Sequence, residues 1–594
     1  MNLRFAKDLS DFLSQKYSVA SLSIAPELCP ANFDGDLTIN CFILAKQLKQ
    51  NPMAIAAEVQ KYLAEHQDIE KAELVKAFVN VTLNAAALMR DTVQADGQIL
   101  ADVKLPEVER RRILIEFSAP NTNKPQHLGH VRNNCVGMAT ASILEAAGHE
   151  VVRINLVNDR GIHICKSMIA YQRFGNGTTP EQAGKKGDHL VGDFYVAYDK
   201  EYRKQLKELR EAHPELAEKD DDELFLQTEI GRAAQDMLVK WEANDPEVRK
   251  LWNMMNQWVF DGFAETYKRM GVAFKHTYLE SQTYKLGKDI IQDGLERGVF
   301  KKRDDGAIII EFADPSLGTK VVLRSDGTSV YVTQDIGTTL LKQKDFNPDQ
   351  QIWVVGDEQI RHFKVLFAIL KALGYQWADK LVHMAYGMVN LPSGKMKSRE
   401  GTVVDADDLM DEMEDLARQA TLEKAGETPP DNLDERAHVI SLAALKFMLL
   451  KVNPKTTIMF DPQASIKFEG DTGPYVLYAY ARISSMLRKA ADIQSNLPAP
   501  DWSKLTDAAE RKLAIRCATF PEAIQKAARE LDSSTVASYL LDLAKDFSTF
   551  YRNCPVLNAE DPSLKAARLQ LSARVRDILR AGLSALTINT LESM

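Results

Sequence analysis

Two short apolar runs separated by one helical segment constrain the fold of this chain more than any other feature. Residues 111–117 (RRILIEF) and 151–157 (VVRINLV) are branched and apolar, as strands buried on both faces of a parallel sheet are. Between them, residues 127–148 have helical spacing and end in a glycine, which is typical of a helix C-terminus. This order predicts a parallel βαβ unit with a right-handed crossover.

Parallel-sheet character returns in the second half of the chain. It is found at residues 327–333 (GTSVYVT), 351–356 (QIWVVG) and 381–391 (LVHMAYGMVNL), with a helical segment at 363–374. We therefore predict an α/β fold whose central domain, residues 105–434, is a doubly wound, Rossmann-like parallel sheet. Dense alternating charges from about residue 160 to 320 predict a solvated helical insertion in that domain.

The flanking segments predict two further domains. A chain of 594 residues is too long for one hydrophobic core. Residues 1–104 alternate helical segments with short β-like runs, which indicates a small α+β domain. Residues 435–594 are almost continuously helical in pattern and predict an all-α helix bundle.

Bulk properties exclude several classes of protein. No stretch approaches the roughly 18 apolar residues of a membrane span, and the N-terminus lacks the apolar core of a secretory signal, so we expect a cytoplasmic protein. The 6 cysteines form no CxxC pair, and we predict no structural metal site. A net charge of −9 argues against binding nucleic acid by bulk charge, so RNA would have to meet local basic surfaces.

Two histidines stand where the loop after the first strand gives way to the helix. His127 and His130 are three residues apart, so their side chains can act on one ligand, and Gly129 lets a bulky group approach the backbone. The helix N-terminus suits a triphosphate. Imidazoles near their unperturbed pKa of about 6.5 can donate hydrogen bonds to a phosphate in the transition state. Taken alone, two histidines at a helix start are more often polar caps.

A polar, glycine-bounded loop at residues 391–401 (LPSGKMKSREG) follows the last strand-like run. It carries Lys395, Lys397 and Arg399, which could neutralise a departing pyrophosphate. As an isolated feature it would be an ordinary surface loop. The combination of this loop with the two histidines, on the two halves of one nucleotide-binding fold, is a specific indication of a nucleotide site.

These two motifs resemble the HIGH and KMSKS signatures of class I aminoacyl-tRNA synthetases. Residues 127–130 (HLGH) correspond to the first signature and 394–401 (GKMKSREG) to a degenerate form of the second. The arginyl-tRNA synthetase family in particular is resembled by residues 115–134, 331–339, 356–363 and 468–486. The three-domain layout is similar to that family along nearly the whole chain.

The resemblance implies roles for individual residues. The residues that would bind arginine are Glu116, Asn121, Tyr331, Asp335 and Gln359. The residues that would bind ATP are His127, His130, Gly356, His362, Met388 and Val389. A bidentate pair between a planar guanidinium and Asp335 is consistent with this assignment. Without the motifs, Asp335 could instead cap a helix and Glu116 could be a surface acid.

The sequence departs from the class pattern at one signature position. The fourth position of KMSKS is a lysine, whereas here it is Ser398, followed by Arg399. In the family, loss of that lysine often accompanies a lysine just before HIGH, and Lys124 occupies that place. We therefore predict that Lys124 binds an ATP phosphate. The loop cation with the main role among Lys395, Lys397 and Arg399 stays open.

The C-terminal domain carries an aromatic and basic helical stretch. Tyr478, Tyr480 and Arg482 suit contacts to unpaired bases of tRNA, although such tyrosines could equally be core residues with satisfied hydroxyls. The resemblance implies that this domain reads the anticodon stem and that the N-terminal domain contacts the tRNA elbow.

The resemblance implies a two-step reaction of a monomer with no tightly bound cofactor. Arginine would attack ATP, supplied with Mg²⁺, and the adenylate would then be transferred to tRNA(Arg). Three alternatives are a synthetase for cysteine or glutamate, a non-catalytic tRNA-binding relative, and a small nucleotidyltransferase. The pocket acids, the intact histidines and the long helical C-terminus argue against each in turn.

Overall fold

The protein is described by a computed structural model. It describes residues 4–19, 22, 24, 26–30, 32–89, 92, 101–391, 404–425, 430–494 and 496–594. The loop cations Lys395, Lys397 and Arg399 therefore lie outside the described residues. No described helix is both long and apolar enough to cross a membrane.

The N-terminal segment forms a small antiparallel sheet covered by helices. Its elements are α1 (Arg4–Tyr17), β1 (Glu27–Leu28), β2 (Leu37–Asn40), α2 (Cys41–Leu48), α3 (Pro52–Ala64), β3 (Ile69–Val75), β4 (Phe78–Leu83) and α4 (Ala85–Met89). The strand order is β1-β2-β4-β3. Asn40 and Asn51 cap α2 and α3 with their side-chain oxygens, which fixes where these helices begin.

The predicted βαβ unit is confirmed. It consists of β5 (Arg112–Glu116), α5 (Leu128–Ala146) and β6 (Glu150–Val157), and β5 pairs with β6 in parallel. Helix α5 is buried on nearly all sides because it lies between the sheet and the C-terminal helices. Gly137 allows this packing, since a Cβ there would meet the Phe117 ring at 2.3 Å.

A helical insertion follows β6, as the charge pattern predicts. Its helices are α6 (Ile162–Phe174), α7 (Pro180–Ala183), α8 (Gly187–Ala212), α9 (Asp221–Leu224), α10 (Glu229–Glu242) and α11 (Pro246–Met270). They enclose a core of their own that includes Tyr198, Trp241 and Phe263.

The expectation that residues 160–320 are helical throughout is wrong in its last third. The chain forms β7 (His276–Leu279), α12 (Glu280–Thr283) and α13 (Lys288–Glu296), and then an antiparallel sheet of β8 (Lys301–Lys302), β9 (Ile308–Glu311) and β10 (Thr319–Leu323). Strand β7 pairs in parallel with β6. It belongs to the central sheet, although its sequence, HTYL, has no long apolar run.

The second half contributes α14 (Tyr331–Phe346), β11 (Gln350–Gly356), α15 (Ile360–Ala372), β12 (Leu381–Tyr386) and β13 (Val389–Asn390). Strands β11 and β12 confirm two of the three predicted parallel strands. The third prediction, residues 327–333, is wrong: those residues lead into α14, where the β-branched run supplies the first helical turn. The central sheet has the order β12-β11-β5-β6-β7, with every pair parallel.

The rest of the chain is mainly helical. It comprises α16 (Ala406–Ala425), α17 (Leu433–Leu450), β14 (Ile458–Met459), α18 (Pro462–Ser465), α19 (Gly473–Gln494), α20 (Ala508–Ala518), α21 (Phe520–Glu530), α22 (Ser533–Asn553) and α23 (Pro562–Ala585). Short 3₁₀ turns occur at Glu107–Glu109, Pro214–Leu216, Phe225–Gln227, Asp357–Gln359, Gln376–Lys380 and Trp502–Lys504. Helices α17, α21, α22 and α23 pack on α5, so the bundle touches the predicted site directly.

Candidate active site

The two signature histidines cap α5 and each other's backbone. His127 is the N-cap residue, and its Nδ1 accepts a hydrogen bond from the Gly129 N–H at 3.1 Å. The His127 N–H donates to Nδ1 of His130 at 3.2 Å, and the two rings lie 4.0 Å apart. The capping role is therefore real, and it fixes both rings at the helix N-terminus.

Burial keeps both imidazoles neutral, contrary to the expectation that they titrate near 6.5. It lowers the pKa of His127 to about 4 and the pKa of His130 well below its ordinary value, and the nearby Lys124 charge adds to both effects. Because each Nδ1 accepts a backbone N–H, the hydrogen-bond network assigns the single ring proton to Nε2. Each ring can thus donate one hydrogen bond to a ligand without carrying a charge.

The structure gives a reason for a glycine at position 129 that differs from the predicted one. A Cβ at this position would stand 2.9 Å from Cε1 of His127. The glycine therefore makes room for the folded-back His127 ring, so any side chain here would displace it.

Polar side chains on α5 fix the helix to the ends of three strands. Asn133 donates to the Val354 carbonyl of β11 at 2.8 Å and to the Tyr386 hydroxyl at 3.2 Å, and it accepts from the Ser118 N–H. The histidines and the strand ends thus form one framework.

A second anchor of α5 is a fully buried guanidinium. Arg132 donates to the carbonyls of Met388 at 2.6 Å, Pro454 at 2.9 Å and Thr456 at 2.6 Å. Burial lowers the pKa of Arg132 to about 10. The clamp holds the turn after β12, which contains the predicted ATP contacts Met388 and Val389, against the signature helix.

The backbone after β5 turns through an unusual conformation. Ser118 and Ala119 both have positive φ angles, 78° and 47°, which L-residues with side chains rarely adopt. The Ser118 hydroxyl lies 2.7 Å from the Tyr267 hydroxyl, and the Ala119 N–H donates to Asn155 at 3.0 Å. This turn brings Asn121 into a parallel bridge with Asn158 at the end of β6.

The predicted pocket acid Glu116 is buried and holds a counter-ion. Its carboxylate forms an ion pair with Lys342 of α14, whose side chain is 2% exposed. The ammonium also lies 5.3 Å from the centre of the Trp353 ring. The expectation that Glu116 could be a surface acid is therefore wrong.

Asp335 lies in the second turn of α14 and does not cap that helix. Its Oδ2 is 2.6 Å from Nε2 of His362, and this hydrogen bond raises the pKa of His362. The structure thus brings together Asp335, which was predicted to bind arginine, and His362, which was predicted to bind ATP. Tyr331, at the start of the same helix, is 77% exposed, and Gln359 is exposed in the turn after β11.

Sequence reasoning missed Glu280, which directly follows β7. Burial raises the pKa of its carboxyl to about 7, and the charges of Asp159 and Asp335 add to the increase while Arg160 opposes it. The segment after Glu280 packs closely on α14, since a Cβ on Gly287 would meet the Thr333 carbonyl at 2.1 Å. A single glutamate after a four-residue strand carries no local motif that could have revealed it.

We call the ends of β5, β6, β7, β11 and β12 the carboxyl edge. In a parallel α/β sheet this edge normally forms the ligand crevice. Gly356 ends β11 there, and a Cβ on it would meet the Glu358 carboxylate at 2.2 Å. The carboxyl edge thus presents neutral imidazole donors, a helix N-terminus and two half-buried acids, Asp335 and Glu280, a set suited to a nucleotide together with a cationic substrate.

Residues 404 and 405 are tied to the histidine turn. The Leu128 N–H donates to the Val404 carbonyl at 2.8 Å, and Asp405 forms a bridge with His127. Beside this pairing lies a cavity of about 390 Å³, which we call the insertion cavity. Its lining includes Lys124, His127, Lys185, Lys186, His189 and Tyr195.

The predicted tRNA residues divide into two groups. Tyr478 and Arg482 line a cavity of about 710 Å³ between α16 and α19, where Arg482 donates to the Tyr478 hydroxyl at 2.9 Å. Tyr480 is 0% exposed, and its hydroxyl bonds Glu592 and Arg580. It is a core residue with a satisfied hydroxyl, so its ring cannot stack on a base in this conformation.

Comparison with family models accounts for most of the chain. A model described as "tRNA synthetases class I (R), catalytic domain" matches residues 95–461. The "DALR anticodon binding domain" matches residues 476–594, and the "Arginyl tRNA synthetase N terminal domain" matches residues 3–83.

Individual proteins are similar over nearly their whole length. An arginine–tRNA ligase of Bacteroides thetaiotaomicron is 45% identical over 563 residues, covering 94% of this chain and 93% of its own. That of Flavobacterium psychrophilum is 44% identical, covering 95% and 94%. Among solved structures, Thermus thermophilus arginyl-tRNA synthetase aligns with a TM-score of 0.77 at 26% identity, covering 99% of this chain and 100% of its own.

Proposed function

This chain belongs to the arginyl-tRNA synthetase family of class I aminoacyl-tRNA synthetases, and on that premise we propose that its carboxyl edge carries out both steps of arginine–tRNA ligation with the residue roles given below. The activity itself, joining arginine to tRNA, follows from the family. The observation that carries the assignment of the site is that the neutral histidine pair, Asp335 and Glu280 all stand on segments at the strand ends of one parallel sheet.

In the first step the arginine carboxylate attacks the α-phosphate of ATP. His127 and His130 donate from Nε2 to phosphate oxygens, and the N-terminus of α5 adds its partial positive charge. Gly356, His362, Met388 and Val389 contact the adenosine. Lys124 meets the phosphates, and Lys395, Lys397 or Arg399 neutralises the leaving pyrophosphate.

Mg²⁺ enters with ATP and is held by its phosphates. Among the described residues, one grouping has metal-ligand geometry, namely Asp188, His189 and Asp407. The Lys186 ammonium lies 3.1 Å from Asp188 and 2.6 Å from Asp407, so it already supplies the positive charge there. We therefore assign that cluster no resident metal.

Arginine is recognised by acids that neutralise a planar cation. Asp335 pairs with the arginine guanidinium after its hydrogen bond to His362 breaks, and Glu280 supplies a second carboxylate. Glu116, Asn121, Tyr331 and Gln359 complete the pocket. A lysine side chain would leave some of these acceptors unpaired, so a separate editing site is not required.

The tRNA meets the C-terminal helices on an aromatic and basic surface. The Lys424 ammonium lies 3.7 Å from the centre of the Phe468 ring and 4.5 Å from the centre of the Tyr478 ring. The Arg482 guanidinium lies 4.6 Å from the centre of the same Tyr478 ring. Half-buried rings flanked by cations at a cavity suit contacts to unpaired bases. Tyr478 and Arg482 are thus the proposed tRNA contacts.

The proposed organisation is an N-terminal tRNA-contacting domain at 1–104, a catalytic domain at 105–434 and an anticodon-binding domain at 435–594. The enzyme works as a monomer in the cytoplasm, since one chain carries every proposed part and its substrates are those of translation.

A charging assay tests the proposal. The purified protein is incubated with ATP, Mg²⁺ and total tRNA in twenty parallel reactions, each with one labelled amino acid. We expect label in tRNA with arginine alone. Charging with another amino acid, no charging with arginine, or charging by Asp335→Asn at the wild-type rate would contradict the assignment.

A further inference from the structure

A chain of contacts between cations and aromatic rings runs from the core of the helical insertion to Glu280. The Arg249 guanidinium lies 3.6 Å from the centre of the Trp241 ring, and the Arg160 guanidinium lies 5.2 Å from the same centre. Arg160 also lies 3.9 Å from the centre of the Tyr284 ring. We call Arg249, Trp241, Arg160 and Tyr284 the cation–ring chain. Trp241 is 1% exposed, so the chain is anchored in a packed core.

Arg160 joins the cation–ring chain to the proposed arginine pocket. Its Nη1 lies 3.9 Å from Oε1 of Glu280, which is close enough for an ion pair and too long for a hydrogen bond. Its Nη2 donates to the exposed Glu242 at 2.8 Å. Within the described ranges no group donates a hydrogen bond to the Glu280 carboxylate, so both of its oxygens are available to a ligand.

The backbone that carries Arg160 and Glu280 is held by a buried carboxylate. Asp159, which directly precedes Arg160, is 0% exposed and accepts hydrogen bonds from the Ser281 N–H at 2.7 Å and the Ser281 hydroxyl at 2.6 Å. The Asp159 carbonyl accepts from Trp252 of α11 at 2.6 Å. The end of β6, the start of α12 and one insertion helix are therefore tied together, which fixes the spacing between Arg160 and Glu280.

The charges around Glu280 make this cation important for its ionisation. The charged groups that face Glu280 are Asp159 and Arg160 after β6 and Asp335 on α14. Burial and the two aspartates disfavour the charged carboxylate, whereas Arg160 favours it. Arg160 is the one cation among these three groups. Because a neutral carboxyl attracts a guanidinium only weakly, the affinity of the pocket for a cation should depend on Arg160.

We propose that Arg160 is a positioning residue for the amino-acid substrate, which keeps the Glu280 carboxylate charged and in place while the cation–ring chain holds Arg160 itself. This inference rests on the proposed function, in which Glu280 binds the guanidinium of the substrate. Arg160 acts through Glu280, so the helical insertion contributes to recognition of the amino acid although the pocket lies at the sheet.

The dependence of KM for arginine on pH tests the proposal, measured by aminoacylation between pH 6 and 9. Arg160→Met removes the charge that favours the ionised carboxyl. The rise of KM at low pH should therefore begin about one pH unit higher than in the wild type, and KM at pH 7 should be about fivefold larger. At pH 9 the two KM values should converge, because Glu280 is ionised in both proteins. KM for ATP should stay within about twofold.

Matched variants separate the charge of Arg160 from its packing. Arg160→Lys keeps a cation and should restore most of the wild-type profile. Tyr284→Leu removes the ring that holds Arg160 and should shift the profile in the same direction as Arg160→Met, whereas Tyr284→Phe should not. Arg249→Met is the control: it loses a similar contact with Trp241 but has no ion pair with a described residue, so it should keep the wild-type profile.

Three results would overturn the proposal. One is a wild-type profile in both Arg160→Met and Tyr284→Leu. The others are a KM raised equally at every pH and the same shift in Arg249→Met, because each assigns Arg160 to packing alone. If Arg160→Met does not fold, Tyr284→Leu decides by the same criteria. Failure of the proposed function differs from all of these, since the wild type would then charge no tRNA with arginine at any pH.

Discussion

His127 serves the fold and the chemistry with different nitrogens. Its Nδ1 caps α5, while Nε2 is left to donate to a phosphate. A residue that replaces only the capping function should therefore separate stability from catalysis.

We expect His127→Asn to retain stability and lose activity. Asparagine is a good N-cap, whereas His127→Ala should lower the free energy of unfolding by about 0.5–2 kcal/mol. Both variants should lower kcat of ATP–pyrophosphate exchange by about 10²-fold, because the phosphate donor is gone. Thermal unfolding and exchange kinetics measure the two effects, and full activity in His127→Asn would contradict the assigned role.

Glu280 predicts how arginine binding depends on pH. With its pKa raised to about 7, the carboxyl is largely protonated below that pH in the free enzyme, and a bound guanidinium favours the charged form. KM for arginine should rise by up to about tenfold per pH unit below pH 7 and stay level above it.

The matched variants are Glu280→Gln and Glu242→Gln. The first removes the titrating group and should give a flat, raised KM between pH 6 and 8. Glu242→Gln removes a carboxylate that pairs with Arg160 outside the pocket, and it should keep the wild-type dependence of KM on pH. The same slope in Glu280→Gln as in the wild type would place the titration elsewhere.

Among single residues, the sequence predicts site residues that lie in recognisable motifs. It misses site residues that reach the site only through long-range packing. The pair His127 and His130, and the acid Asp335, stand in recognisable segments and lie at the carboxyl edge. Glu280 reaches that edge only because β7 joins the sheet after more than a hundred residues of insertion. Tyr480 shows the reverse error, since helical spacing alone cannot distinguish a buried ring from an exposed one.

At the scale of elements, helix α5 is held by the Arg132 clamp. One guanidinium pairs with three carbonyls on the turn after β12 and the segment before β14. Because Met388 is one of them, the clamp should serve both stability and ATP binding.

We expect Arg132→Met to lower the free energy of unfolding by about 3–5 kcal/mol, because it leaves buried carbonyls unpaired. Arg132→Lys should not rescue it, since one ammonium cannot reproduce the planar fork. KM for ATP should rise several-fold in both variants. Arg232→Met is the control: that exposed arginine also binds two carbonyls, and its loss should change stability by about 0.5 kcal/mol or less.

Elements with strong periodicity are predicted well, and short ones are not. Strands β5, β6, β11 and β12 are apolar runs, and this composition predicts strands that are buried on both faces of a parallel sheet. Residues 327–333 have the same β-branched character but enter α14, because their tertiary neighbours outweigh local propensity.

At the scale of the whole molecule, the C-terminal bundle and the catalytic sheet share α5. Helices α17, α21 and α23 contact the face of α5 that the sheet leaves uncovered. A tRNA bound to the bundle can therefore influence the histidine turn through one packed helix.

We expect no measurable ATP–pyrophosphate exchange with arginine in the absence of tRNA. Protein treated with ribonuclease and repurified should be inactive, and adding tRNA(Arg) should restore exchange while a tRNA for another amino acid should not. Exchange in rigorously tRNA-free protein would show that α5 is already competent without its partner.

The Arg132 clamp also sets the order of events on the ribosome. Arg132 and its most distant partner Thr456 are separated by 324 residues, so the nascent chain carries an incompletely paired guanidinium for about 16–65 s at 5–20 residues per second. Until that partner emerges, α5 lacks its complete anchor and helices α21, α22 and α23, which cover it in the folded protein. A chain truncated before Thr456 should therefore expose this apolar helix and depend on chaperones, even with every strand of its parallel sheet already synthesised.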